Sequence, residues 1–139
     1  MDSTTADKLE LQELRAAYGH HIDRGEWDEW VTLFTPDAIV DYGPYDTLHG
    51  HDDIRSFASD VIDGLFTYSM HLALMPLLEV DGDKATGRWH LLVLYEASGG
   101  DPGWLVGTYE DTYRRVDGEW KFTSVTNVVD IDTGAFGEY

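Results

Sequence analysis

The sequence predicts an α+β fold, a cone-shaped barrel in which three N-terminal helices pack on a strongly curved antiparallel sheet. Two observations carry that expectation. Apolar residues recur at helical spacing as far as Gly64, and from there the chain reads as four long strands separated by turn signals. Each strand runs to roughly 13 residues, long for a globular protein, and such strands are expected to curl until the helices close the concave side.

The elements follow in order. Residues 6–23 form an amphipathic helix in which Leu11, Leu14, Tyr18 and Ile22 recur at spacings of 3, 4 and 4, and Gly25 stops it. A short second helix carries Trp27, Trp30, Val31 and Phe34 and ends at Pro36. Residues 38–42 read as a short strand punctuated by Gly43 and Pro44. A third helix starts near Gly50, with Asp52 and Asp53 at its positive end and Ile54, Phe57, Ala58 and Val61 as its apolar stripe. The strands span 67–80, 84–96, 104–116 and 119–131. Asp81-Gly82-Asp83 and Asp117-Gly118 are hairpin turns, and Pro76 marks an edge or a bulge. No repeat or linker interrupts the 139 residues, which read as one domain over 1–139.

Charge narrows the function classes. The chain carries 27 acidic against 9 basic residues, a net charge of −18, so nucleic acid and anionic membranes are excluded as partners by repulsion. Lysine is scarce (Lys8, Lys84 and Lys121) while the acids are spread along the chain, a pattern suited to a high-salt cytosol where screening relieves self-repulsion. Absence of cysteine removes disulfides, thiolate metal sites and a cysteine nucleophile. No run of about 18 apolar residues occurs, and the polar start lacks a signal pattern, so a cytoplasmic location is expected.

Six histidines stand in a chain poor in other cations, and histidine is the default acid or base near neutrality. His20 and His21 sit at a helix end, and His49 and His51 span a turn into a helix, where capping or solvent roles are common. None of these spacings is a metal motif, so no metal is expected. His71 lies instead in an otherwise apolar strand. A strand histidine is ordinarily a satisfied core residue, and Asp23 by itself could merely end its helix. The two gain weight together, because the helix carrying Asp23 must cover the sheet, and an aspartate can orient and charge-stabilise an imidazole base. Tyr109 and Asp111 share a strand face that either lines the interior or forms a surface ladder.

Several segments in fixed order resemble one family over nearly the whole chain. They are Tyr18-Gly-His-His-Ile-Asp23-Arg-Gly-Glu-Trp27-Asp-Glu-Trp30, Met70-His71, Ala85-Thr-Gly-Arg-Trp89, Gly107-Thr-Tyr109-Glu-Asp111-Thr-Tyr113 and Asp117-Gly118-Glu-Trp120-Lys-Phe122. Together they resemble the SnoaL-like branch of the nuclear transport factor 2-like superfamily, which holds dehydratases and a dehydrochlorinase. The resemblance implies an Asp–His dyad falling on Asp23 and His71, and a catalytic tyrosine falling on Tyr18. Tyr18 and Asp23 stand about 140° apart on an ideal helix, so they share a pocket only if the helix ends near Asp23. Members place a pocket arginine on the last strand at points that fall on Val125 and Val129. Those positions share a strand face with Asn127, so this wall is expected to lack a cation and to offer Asn127 as its polar group. A second pocket histidine in one member lies on the strand that carries His90.

The resulting expectation is a cofactor-free lyase of the dehydratase type acting on a small, mostly apolar, cyclic molecule. A ketosteroid-isomerase-like isomerase, a polyketide cyclase and a non-catalytic small-molecule-binding domain are the alternatives, since a fold does not determine its chemistry. Relatives of this kind also imply a homo-oligomer, a dimer or trimer, formed through the outer face of the sheet.

Overall fold

The computed structural model describes residues 2–133. Helix α1 (Ser3–Arg24) leads into α2 (Trp27–Val31), strands β1 (Phe34–Asp41) and β2 (Thr47–His49), helix α3 (Gly50–Asp60) and a 3-10 turn (Ile62–Gly64). Four long strands complete the chain: β3 (Phe66–Asp81), β4 (Lys84–Ala97), β5 (Pro102–Val116) and β6 (Glu119–Asp132).

Helix α1 begins where the Asp2 carboxylate accepts the Thr5 N–H at 2.9 Å. It ends at Gly25, whose φ of 68° is the left-handed conformation that an L side chain resists. Its buried stripe holds Leu11, Leu14, Tyr18 and Ile22, as the periodicity predicts, but also Asp7, Arg15 and Gly19. Polar groups on that stripe need partners in the sheet, and they find them.

The sheet corrects the predicted architecture. It has six strands in the order β2-β1-β6-β5-β4-β3, with β1 parallel to β6 and the other neighbours antiparallel, so it is mixed. It is also open, with β2 and β3 as its edges, and neither closes on itself nor curls strongly. The long strands are interrupted by local irregularities, between Leu74 and Leu77 in β3 and, in β6, at Asp130 opposite Val106/Gly107 and at Thr123 opposite Thr112/Tyr113. Pro76 therefore sits both on an edge strand and in a bulge. The second helix is shorter than predicted, because Phe34 pairs with Phe122 in β6, and the Phe122 N–H donates to the Leu33 carbonyl at 2.9 Å. Pro36, which has no N–H to give, falls in the unpaired stretch of β1 between Phe34 and Ile39.

Alternation along the strands sends one set of residues to the helices. Cross-strand rows on that inner face run His71–Val93–Leu105, Ala73–Leu91–Gly107–Val129, Trp89–Tyr109–Asn127 and Gly87–Asp111–Val125. Helix α1 packs on the β3 end of this face and α3 on β1. None of the described helices is long and apolar enough to cross a membrane.

Candidate active site

Asp23 occupies the last turn of α1, facing β3. Its Oδ1 accepts a hydrogen bond from His71 Nδ1 at 2.7 Å. The same carboxylate accepts the His71 backbone N–H at 3.2 Å and 3.0 Å through its two oxygens, and the Ser69 hydroxyl at 2.9 Å. With Nδ1 donating to a carboxylate, the ring is held as the tautomer whose Nε2 is the basic nitrogen. Ser69 and His71 are two residues apart on one strand and so share a face, which explains how one carboxylate reaches both. Approach of the helix is close. Gly19 packs on β3 so tightly that a Cβ there would stand 3.0 Å from the His71 carbonyl oxygen.

His71 lines a small, partly open cavity of about 90 Å³ together with Tyr18, Tyr42, Phe57, Phe66, Tyr109, Asn127 and Val129, among others. Phe66 meets the imidazole edge-on at 5.9 Å. A wider groove between α1 and β3, about 640 Å³, opens on the other side and is lined by Gln12, Gly19, His20, Asp23 and again His71. The imidazole therefore stands between an aromatic chamber and a path to solvent.

Phenols supply most of the other polar groups of the chamber. Tyr18 and Tyr42 bring their hydroxyls to 2.8 Å. Burial raises the Tyr18 hydroxyl well above its usual pKa of 10.0, and Tyr42 adds to that, while the Arg15 guanidinium pulls it back. Tyr109 is raised in the same way, by burial first and Tyr18 second. Both phenols are thus held protonated, as hydrogen-bond donors. Asn127 presents a buried side-chain oxygen with no hydrogen-bond partner among the described residues.

Most of the residues expected from sequence are brought together. Tyr18, His71, Tyr109, Asn127 and Val129 line the cavity, and Asp23 backs His71. Val125 shares the inner face but is fully buried in the core, away from the cavity. His90 is not brought there. It alternates with buried Trp89 and Leu91 and is exposed on the outer face. Of the other histidines, His51 Nε2 is 2.7 Å from the Phe34 carbonyl and His21 Nδ1 is 3.0 Å from Glu26 Oε1. Among the described residues no three His, Asp or Glu side chains cluster as a metal site would require.

Sequence reasoning missed Tyr42, Ser69 and Arg15. The guanidinium of Arg15 is buried beneath Tyr18 and Tyr109, and its Nη2 donates to Asp111 Oδ1 at 2.9 Å. Asp111 also accepts the Tyr113 hydroxyl at 2.6 Å, and that hydroxyl accepts Trp89 Nε1–H at 3.1 Å. Burial raises the Asp111 carboxyl, with Arg15 and Tyr113 opposing it. Burial works most strongly against the Arg15 charge, but Asp111 together with Tyr109, Tyr18 and Tyr113 holds the guanidinium above its usual value. The cation absent from the β6 wall is thus supplied from α1, behind the phenols. A signal for it existed, since Arg15 lies four residues after Leu11 and so falls on the buried stripe.

Residues 3–126 match the SnoaL-like domain family. The uncharacterized protein Rv2910c of Mycobacterium tuberculosis is 34% identical over 84 residues, which is 60% of this chain and 56% of that protein. The match therefore spans little more than half the length of this relative. Among solved structures, a provisionally assigned scytalone dehydratase of Novosphingobium aromaticivorans superposes with a TM-score of 0.87 at 24% identity, over 94% of this chain and 88% of that one. The hexachlorocyclohexane dehydrochlorinase LinA-type3 of Novosphingobium barchaimii gives 0.85 at 21% identity, over 94% and 90%. A point variant of Rv3472 of Mycobacterium tuberculosis, of unknown function, gives 0.82 at 26% identity, over 93% and 75%. At these identities the likeness to the two named enzymes establishes a common fold.

Proposed function

The chain belongs to the SnoaL-like domain family, and from that premise we propose that it is a cofactor-independent lyase of the dehydratase type with Asp23–His71 as its acid–base pair. The carrying observation is the 2.7 Å contact between His71 Nδ1 and Asp23, on an imidazole that lines an aromatic cavity. His71 Nε2 takes a proton from carbon beside a carbonyl. The electron pair of that C–H bond forms the new C=C bond, the C–O bond to a β-hydroxyl breaks, and the proton returns to the leaving oxygen as water. Asp23 stabilises the imidazolium between the two steps. The Tyr18–Tyr42 pair donates one hydroxyl proton to its partner and keeps the other for the oxygen that gains charge, among mostly apolar side chains where such a bond is strengthened.

The lining supports the substrate class. Aromatic and aliphatic side chains dominate it and no Lys or Arg is among them, which suits a small, uncharged, mostly apolar ring compound with one or two oxygen functions. A panel of cyclic β-hydroxy ketones, assayed for the absorbance of the conjugated product, tests the reading. His71→Ala should reduce turnover by about 10²–10⁴-fold; a variant turning over at the parent rate would overturn the mechanism.

The same family reading includes assembly through the outer face of the sheet. Met70, Leu94 and Trp104 form one exposed cross-strand row there, with Leu74, Val128 and Ile131 beside them. A second copy of the chain is the proposed cover for this patch. Sedimentation should show a dimer or trimer that Trp104→Glu dissociates, and a parent chain that sediments as a monomer would remove the proposal.

A further inference from the structure

We infer that Arg15 is a positioning residue for Tyr18: its guanidinium, fixed by Asp111, lies against the phenol ring and favours negative charge at the Tyr18 hydroxyl. This rests on the reading above, in which Tyr18 donates to the substrate oxygen that gains charge, and it assigns a source for the acidity that donation needs.

The geometry of the guanidinium carries the argument. Arginine offers five N–H donors and pairs best with a carboxylate through two of them. Here a single nitrogen, Nη2, bonds Asp111, while Nε and Nη1 are buried with no hydrogen-bond partner among the described residues. What those nitrogens have in place of acceptors is aromatic faces. The guanidinium carbon lies 3.4 Å from the Tyr109 ring centre, 4.3 Å from that of Tyr18 and 5.1 Å from that of Phe122. A pair serving only to tie α1 to β5 would be expected to satisfy both prongs of the fork. This one leaves donors unmatched and keeps the cation on the phenols.

Its setting makes the charge effective. Arg15 precedes Tyr18 by three residues, so both project from one face of α1 toward β5. Asp111 is itself held by Tyr113, which is held by Trp89, so the cation cannot swing away. Water is excluded from the pair, and in such surroundings a cation about one ring's width from a phenolic oxygen is little screened. The groups facing Tyr18 are Arg15 on its own helix, Tyr42 just beyond β1, Tyr109 and Asp111 on β5, and Phe122 on β6. Arg15 is the one cation among them. Its influence on the Tyr18 hydroxyl opposes that of burial, Tyr42 and Asp111.

The test needs no substrate. A trifluorinated tyrosine, more acidic than tyrosine, is incorporated at position 18 of the full chain, and its ionisation is followed by absorbance and fluorine NMR. Arg15→Gln should raise the titration midpoint by about 1–3 pH units, and Asp111→Asn, which removes the opposing charge, should lower it. Arg15→Lys should restore most of the parent value. Should Arg15→Gln fail to fold, the double variant Arg15→Gln/Asp111→Asn removes both charges and should still titrate above the parent. Midpoints that stay fixed, or that move the same way for Arg15→Gln and Asp111→Asn, would overturn the inference. Failure of the lyase reading is a separate result, seen as unchanged turnover in His71→Ala while the position-18 titration still responds to Arg15.

Discussion

Two of the contacts of opposite charge between helix α1 and the sheet are nearly equal in length and very different in setting. Asp23 and His71 stand 2.7 Å apart with side chains 20% and 12% exposed, whereas Arg15 and Asp111 stand 2.9 Å apart at 1% and 0%. The open pair keeps one ring nitrogen uncommitted beside a cavity and has a groove at its back. The sealed pair has no path for a proton, and an arginine does not give one up near neutrality. Similar distances thus serve different ends: exposure suits the first pair to moving a proton, and enclosure suits the second to holding a fixed charge.

That contrast can be broken from either side. The largest effect on stability is expected at the sealed pair, where Arg15→Ala strands a buried carboxylate and should cost about 3–5 kcal/mol by denaturant unfolding. Replacing both partners by apolar residues, Arg15→Met with Asp111→Leu, should recover most of that loss. A single variant as stable as the parent would mean that Asp111 is not charged in the fold. At the open pair the order reverses. Asp23→Asn retains an oxygen for Ser69 and the His71 backbone, so it should cost only about 1 kcal/mol, yet it should lower turnover by roughly 10²–10⁴-fold. Equal losses of stability at the two sites would erase the distinction.

A smaller effect sharpens the picture of the phenols packed between the pairs. Tyr18 and Tyr109 ionise well above 10.0 in the folded chain and near 10.0 once unfolded. Above pH 10 the unfolded state therefore loses protons that the folded state keeps. Each phenol should then subtract about 1.4 kcal/mol of stability per pH unit, beginning near pH 10 and continuing upward. Thermal melts from pH 8 to 11 check this, and a flat profile would place these hydroxyls in water.

The two pairs also differ in how far they could be read from sequence. Asp23 sits in the last turn of a helix whose Leu11, Leu14, Tyr18 and Ile22 recur at helical spacing, and His71 interrupts an apolar strand, so each is locally conspicuous. Arg15 is hidden because its partner lies 96 residues away, and a charged residue on a helix reads as solvated until a specific carboxylate is placed opposite it. The long strands and the α1 stripe were legible because alternation and 3.6-residue periodicity persist over many residues. Thr47–His49 was not, since three residues carry no period. His90 could have been placed from its own strand. Trp89, Leu91 and Val93 alternate inward, which sends His90 outward whatever the bulge at Pro76 does to the neighbouring strand. Openness of the sheet was not legible, because strand length alone does not decide between smooth curling and local breaks.

One feature of the fold reaches beyond any single contact. The proposed reactive groups come from α1 and β3, at one edge of the sheet, and Gly19 locks those two elements together against the His71 backbone. Apart from Tyr42, which pairs with Tyr18, the opposite side of the chamber is built by other parts of the chain: Asn127 and Val129 on β6, Phe57 on α3, and Tyr45 in the turn after β1. On the proposed reading, chemistry and fit are carried largely on separate modules. Exchanges on the far wall can redraw the shape of the guest while leaving the proton-handling machinery in place, which gives the scaffold room to diversify one property at a time.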